Sequence, residues 1–248
     1  MALLTEFTRR LNSIAGYLEN PQLLMLRYQG GIPNTFLLLN QPWFHSLNIE
    51  TILDIGANVG QFALTINTLL PKARIYSFEP LTDCYEKLKA RMADCKTFSA
   101  FNLALGDESG SLIFERNAYS PSSSFLKIAD VHKKAFPKTQ ATETLEVKID
   151  RLDNIAQQLA IANPYMVKID VQGYEYQVLR GGEQTIKNAR LVITETSFVT
   201  LYDNQPLFND VYNNLINWGF TYVGALDQLY NPQDGRVLQA DSIFIKSE

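Results

Sequence analysis

The chain has 248 residues, is 46% hydrophobic and 19% charged, and carries a net charge of −4 at pH 7; this is the profile of a globular protein long enough to bury a substantial core. The acidic balance leaves no broad cationic surface for a phosphate backbone, which argues against nucleic acid as a partner. No stretch approaches the ~20 apolar residues of a membrane span, so membrane insertion is not expected.

In residues 1 to 46, apolar positions at Leu3, Leu4, Phe7, Leu11, Ile14 and Leu18, then Leu23, Leu24 and Leu26, have helical spacing interrupted by Pro21. This predicts two short helices. The first segment has too short an apolar run for a signal peptide and carries Glu6 and an arginine pair, Arg9 and Arg10, which points to the cytoplasm. Gly30, Gly31, Pro33 and Pro42 break the pattern, so residues 1–46 read as an N-terminal helical extension and residues 47–248 as the main domain. The extension could pack on the sheet, cover a site or form a homodimer contact. His45, beside Trp43 and Phe44, reads as structural.

From Thr51 the sequence TILDIGANVGQFALTINTLLPKARIYSFEP gives a buried strand (52–55), a glycine turn, an amphipathic helix (61–70) and a second strand (75–78). This is a βαβ nucleotide-binding unit. Gly56 and Gly60 lie four apart, with Asn58 where the dinucleotide fingerprint has its middle glycine, so the turn lacks the close approach that a pyrophosphate needs. That argues against an NAD-dependent oxidoreductase. Asp54 at the strand end would repel a phosphate but can accept from a cationic amino acid, directly or through water. Glu79, at the tip of the next strand and 25 residues after Asp54, is placed to accept from both hydroxyls of a ribose. A ligand with a ribose, a positive charge and no phosphate fits, and S-adenosylmethionine (SAM) has all three.

LTDCYEKLKARMAD continues as a helix, and Thr97 to Leu105 as a third strand running into Gly106-Asp107. Asp107 is positioned either to accept from an adenine amino group or simply to form a turn. Cys84 and Cys95, eleven apart and in no metal-binding spacing, read as reduced thiols. SLIFERN and TLEVKID alternate as strands of a β-hairpin insertion, joined by a polar stretch containing Ser122, Ser123, Ser124, His132, Lys133 and Lys134; a connection of this length is a candidate acceptor-facing loop. A helix over RLDNIAQQLA follows, and Asn163-Pro164-Tyr165, preceding the next strand, reads as a turn. That strand ends at Asp170. Then come a helix over 174–187 interrupted by Gly181-Gly182, a strand 191–194 ending at Glu195, a helix 207–218, and strands 221–225 and 242–245. The order predicts a doubly wound, Rossmann-like α/β fold with a mostly parallel sheet.

The succession DIGANVGQF, YSFEP, NLALGDESG, SSSFL, VKIDRLDNI, VKIDVQGYEYQVLRGG and LVITE resembles the FkbM-type SAM-dependent methyltransferases from about residue 50 onward. The resemblance implies a seven-stranded class I methyltransferase sheet with an antiparallel last strand, and O-methylation of a small-molecule or sugar hydroxyl, on a natural product or polyketide for example. It implies SAM contacts at Asp54, Gly56, Asn58 and Gly60, the ribose on Glu79, the adenine near Asp107 and the edge of the active site at Asp170. An aliphatic hydroxyl must lose its proton. Asp170 is the first candidate base, followed by Glu195 and His132; the other roles open to Asp170 are to hold the methionine amino group or to cap the next helix. Asp170 and Glu195 could also bind Mg²⁺, although paired Asp residues are lacking, so no metal site is assigned. A SAM-binding scaffold without catalysis is the alternative from another functional class.

Overall fold

Thr51–Ile55, buried along its whole length, forms β1 at the middle of a seven-stranded sheet. The computed structural model describes residues 21–117, 142–203 and 205–247. Around β1 lie β2 (Arg74–Phe78), β3 (Phe98–Phe101), β7 (Tyr165–Ile169), β8 (Leu191–Ser197), β9 (Phe220–Tyr230) and β10 (Val237–Lys246), in the order β3-β2-β1-β7-β8-β10-β9. β10 runs antiparallel to both its neighbours, while β1, β2, β3, β7 and β8 are mutually parallel. This is the doubly wound sheet with an antiparallel last strand expected from the sequence.

Strand alternation divides the core between the two faces. Ile52, Ile75, Met166 and Ile193 pack with Phe62, Ala63 and Ile66 of α4 (Gln61–Leu69) and Leu88 of α5 (Thr82–Arg91). Leu53, Phe78, Val167 and Val192 pack on the other face with Val178 and Leu179 of α7 (Glu175–Gly181), Ile186 of α8 (Glu183–Lys187) and Leu215 of α9 (Phe208–Asn217). Leu152, at the start of α6 (Leu152–Ala156), joins this second face. Each fully buried Leu or Ile contributes roughly 1.5–3 kcal/mol by leaving water.

Several expected boundaries differ: β8 runs on to Ser197 and α6 stops at Ala156. The strand expected over 97–105 divides: β3 stays in the main sheet, while β4 (Ala104–Leu105) enters a second, three-stranded sheet with the hairpin insertion. Asn102 makes the break, its side-chain amide donating to the carbonyls of Glu79 (3.0 Å) and Pro80 (2.8 Å). The hairpin insertion, β5 (Gly110–Asn117) and β6 (Thr142–Asp150), pairs antiparallel as expected. β9 and β10 extend well beyond the short strands expected, as a hairpin whose outer part is largely exposed on β9.

Ahead of β1, the residues read as breakers start helices. Pro33 opens α2 (Pro33–Leu39) and Pro42 opens α3 (Pro42–His45), after α1 (Gln22–Tyr28). Proline suits the first helical turn, where its missing N–H has no partner to lose. Leu23, Leu26 and Phe36 pack against Leu64 and Leu69 of α4, and Thr65 Oγ1 accepts from the Ile32 N–H at 2.8 Å. The described part of the extension therefore lies on the α4 face. Residues 1–20, the first of the expected helices, are outside the described residues.

Gly181 and Gly182, which part α7 from α8, have a packing reason. A Cβ on Gly181 would lie 1.6 Å from the Gly106 carbonyl oxygen, so the chain leaving β4 passes directly over the helix backbone.

Candidate functional site

The parallel strands end together, and the chain leaving β1, β2 and β7 surrounds a cleft of about 700 Å³, part of it open to solvent. Gly56, Asn58, Glu79, Asp170 and Gln172 supply its polar wall. Leu81, Leu103, Leu105 and Phe114 supply an apolar one, Phe114 coming from the hairpin insertion.

The turn after β1 is built tightly. Gly56 and Gly60 have φ of 79° and 86°, and Asn58 one of 49°, all in the left-handed region that glycine and asparagine tolerate best. A Cβ on Gly56 would meet the Asp170 carbonyl oxygen at 1.9 Å, so glycine is what lets the turn touch the end of β7. The N–H groups of Gly56 and Ala57 both donate to the Phe78 carbonyl (3.0 Å each), and that of Gly60 to Ala57 (2.9 Å). The Asn58 N–H donates to Glu79 Oε2 at 2.8 Å. These four turn donors are engaged within the protein.

Glu79 is 6% exposed. Its second oxygen, Oε1, accepts from the Leu81 N–H at 2.9 Å, so two backbone donors fix the carboxylate while each oxygen keeps acceptor capacity. Burial, only partly countered by the Leu81 and Asn58 N–H groups, pushes its pKa up to about 7.

Asp54 lies behind the cleft wall, fully buried. Ser77 Oγ donates to its Oδ2 at 3.1 Å; Oδ1 has no hydrogen-bond partner among the described residues and faces Lys168 Nζ at 4.0 Å. The three share a cross-strand row, since Asp54 is in register with Ser77 on β2 and Lys168 on β7. Burial raises the Asp54 pKa, Lys168 and Ser77 opposing it.

Lys168 is the hub. Its ammonium pairs with Asp170 Oδ2 at 3.0 Å and lies 5.5 Å from the centre of the Phe62 ring. Burial alone would lower its pKa, but Asp170 and Asp54 outweigh that and hold it above the ordinary lysine range. Asp170 Oδ1 accepts from Gln172 Nε2 at 2.8 Å, and the same nitrogen reaches Glu195 Oε2 at 3.1 Å and Oε1 at 3.3 Å. The structure thus brings Asp170 and Glu195 together through Gln172. Burial and the neighbouring Asp170 push Glu195 well above the usual carboxylate range. Asp241, in register with Glu195 on β10, is raised by burial to about 6.

Glu175 locks the turn that follows Asp170. Its carboxylate accepts from the Val171 N–H at 3.0 Å and the Gly173 N–H at 3.0 and 3.1 Å, and burial raises it to about 7.

Asp107 is not among the residues lining the cleft; its carboxylate pairs with Arg180 at 3.3 Å and its carbonyl accepts from Arg151 at 2.7 Å. His132 and the serines and lysines of the long connection lie outside the described residues. Sequence reasoning missed Lys168, Gln172 and Tyr202. Lys168 was within reach of it, since a lysine two residues before Asp170 in an apolar strand must share that carboxylate's face.

Buried Glu79 and Glu175 and half-buried Asp241 set a pH dependence. Glu79 and Glu175 titrate near 7 in the fold against an ordinary 4.5, and Asp241 near 6 against 3.8. The folded state therefore holds protons that the unfolded chain releases, and stability declines as pH rises through this range. We expect thermal unfolding to show a higher Tm near pH 5 than near pH 8, the loss amounting to ~1–3 kcal/mol per group; a Tm that rises across that interval would mean these carboxyls are not buried as described.

Residues 54–222, more than half of the chain, match the family described as the methyltransferase FkbM domain. Among curated proteins, the chain is 28% identical over 162 residues to the 2-O-methyltransferase NoeI of Sinorhizobium fredii, covering 62% of this chain and 66% of that protein. It is 24% identical over 147 residues to the hexuronic acid methyltransferase AglP of Haloferax volcanii, covering 59% and 55%. It is 25% identical over 206 residues to the 31-O-demethyl-FK506 methyltransferase FkbM of Streptomyces tacrolimicus, covering 73% and 76%. The first two of these relatives are thus matched over less than two thirds of their own length. With its sheet order, its glycine turn and this match from the end of β1 into β9, the chain belongs to the FkbM methyltransferase domain family.

Proposed function

We propose that the protein is a SAM-dependent O-methyltransferase acting on a hydroxyl of a sugar or small natural product. The observation that carries this is the pairing of a fixed, two-oxygen acceptor, Glu79, with a glycine turn in which the Gly56, Ala57, Asn58 and Gly60 N–H groups are already used. Such a cleft suits a ribose and disfavours a pyrophosphate. Glu79 would hold the ribose hydroxyls, the apolar wall of Leu81, Leu103, Leu105 and Phe114 would cover the purine, and Asp170, beside Lys168, would face the cationic end. Asp107, ion-paired to Arg180, is a less direct adenine contact than its position in the sequence implied. Residues 47–248 would form the catalytic unit and residues 1–46 an accessory segment.

Bound there, SAM supplies an already activated methyl group on a sulfonium. The chain's own residues then have to hold the acceptor in line, exclude water and receive the hydroxyl proton. Asp170 lines the cleft and is the candidate for that last role. The relatives named as acting at a 2-O position, on a hexuronic acid and at the 31-O position of FK506 support a hydroxyl-bearing acceptor.

Calorimetry provides the test. SAM or S-adenosylhomocysteine should bind with a dissociation constant on the order of micromolar, and NAD should not bind measurably. NAD binding in the absence of SAM binding would overturn the reading. Transfer of a labelled methyl group from SAM to an acceptor separates an enzyme from a scaffold.

A further inference from the structure

We propose that Gln172 is a positioning residue that ties Asp170, which lines the cleft, and Glu195 of β8 into one hydrogen-bonded carboxyl pair, with Tyr202 fixing the direction of its amide. The inference rests on the methyltransferase reading for its purpose, but its geometry stands independently.

Three observations support it. First, the amide is fully committed. Its nitrogen serves Asp170 at 2.8 Å and Glu195 at 3.1 Å, while its oxygen accepts from the Tyr202 hydroxyl at 2.9 Å. An amide nitrogen has two hydrogens, so each carboxyl receives one. The reversed amide would turn its oxygen toward two carboxyls and take from the Tyr202 hydroxyl the acceptor it has at 2.9 Å.

Second, the backbone is held in an unfavourable conformation to place that side chain. Gln172 has φ of 55°, in the left-handed region that costs a residue with a Cβ about 1 kcal/mol or more. The Glu175 carboxylate grips the N–H groups on either side of it, at Val171 and Gly173. Gly173 follows at φ of 99°, and a Cβ there would lie 3.0 Å from the Tyr202 ring. The turn is thus fixed from both sides around one side chain.

Third, the neighbouring charges are unequal. Around the pair tied by Gln172 lie Lys168 from β7 and Asp170 just after it, Glu175 from α7, Tyr202 from the segment after β8 and Asp241 from β10, all acting on Glu195, Tyr202 or Lys168, with Asp54 beside Lys168. Lys168 pairs with Asp170 at 3.0 Å, whereas burial and the surrounding carboxyls raise Glu195 well above the usual carboxylate range. One amide therefore spans an ion-paired carboxyl that lines the cleft and a second carboxyl in a more strongly acidic surrounding. A proton arriving on Asp170 would then be felt at Glu195 through the shared donor.

The test needs no acceptor. Full-length protein carrying ¹³C-carboxyl aspartate and glutamate is titrated by NMR, with Asp170 and Glu195 assigned through Asp170→Asn and Glu195→Gln. Removing the shared donor in Gln172→Ala should raise the apparent titration midpoints of both carboxyls, by about one pH unit or more at the upper step, with no comparable shift elsewhere. Tyr202→Phe should shift the same two signals in the same direction but by less. If Gln172→Ala fails to fold, Tyr202→Phe carries the test, since it removes a single oxygen. Unchanged midpoints, or equal shifts in every buried carboxyl as a loosened fold would give, overturn the proposal. Calorimetry with SAM on the wild-type sample is scored separately: absence of binding with the coupling intact would overturn the methyltransferase reading alone.

Discussion

Replacing Glu79 with alanine should weaken SAM binding by roughly 2–4 kcal/mol, a loss of about 30- to 1,000-fold in affinity. The variant loses the acceptor proposed for the ribose, and it also leaves the Asn58 and Leu81 N–H groups without their partner in a nearly inaccessible position. Each such group costs ~1–3 kcal/mol of stability, so a fall in Tm should accompany the loss of affinity. Glu79→Gln separates the two effects. It keeps the volume and one oxygen but presents an NH₂ to one of the two N–H donors, so affinity should drop while the fold suffers less. The wild-type pKa near 7 adds a signature. If the ionised form is the better ribose acceptor, affinity should rise between about pH 6 and pH 8, and this dependence should vanish in Glu79→Gln. A Glu79→Gln protein that binds SAM as tightly as wild type at both pH values would show that the ribose is held elsewhere.

The nucleotide-binding unit was legible because its information is local. The apolar run 52–55, the glycines at 56 and 60 and the strand closed by Glu79-Pro80 fall where expected, to within one residue at β1, α4 and β2. The glycines carry a meaning beyond ligand approach, because the Asp170 carbonyl occupies the space where a Gly56 side chain would be; that contact joins residues 114 apart and leaves no mark in either segment. The division of the third strand was hidden for a related reason. Phe98 to Leu105 alternates well enough for one strand, and the break depends on Asn102 bonding back to the carbonyls of Glu79 and Pro80. Pro33 and Pro42 misled because proline signals a boundary without saying which side of it is helical. In the site, strand-end carboxylates were readable one by one. Their shared partner was not, since the Gln172 amide is oriented by a tyrosine 30 residues further on.

Asp170→Asn gives different kinetics according to what Asp170 does. As a general base, its loss should lower kcat by about 10²-fold or more while the KM for SAM changes little. As an anchor for the methionine amino group, its loss should instead raise the SAM dissociation constant and leave kcat at saturation nearly intact. The surroundings sharpen the distinction. Asp170 Oδ2 receives the Lys168 ammonium at 3.0 Å and Oδ1 the Gln172 amide at 2.8 Å, so an asparagine must turn its NH₂ toward one donor or the other. The variant therefore loses position as well as charge, and both arms of the experiment should show an effect, with kcat showing the larger one. Near-wild-type turnover by Asp170→Asn on its acceptor would remove Asp170 from the chemistry. The proton would then have to go to Glu195, already joined to the cleft through Gln172, or to His132 in the long connection after β5.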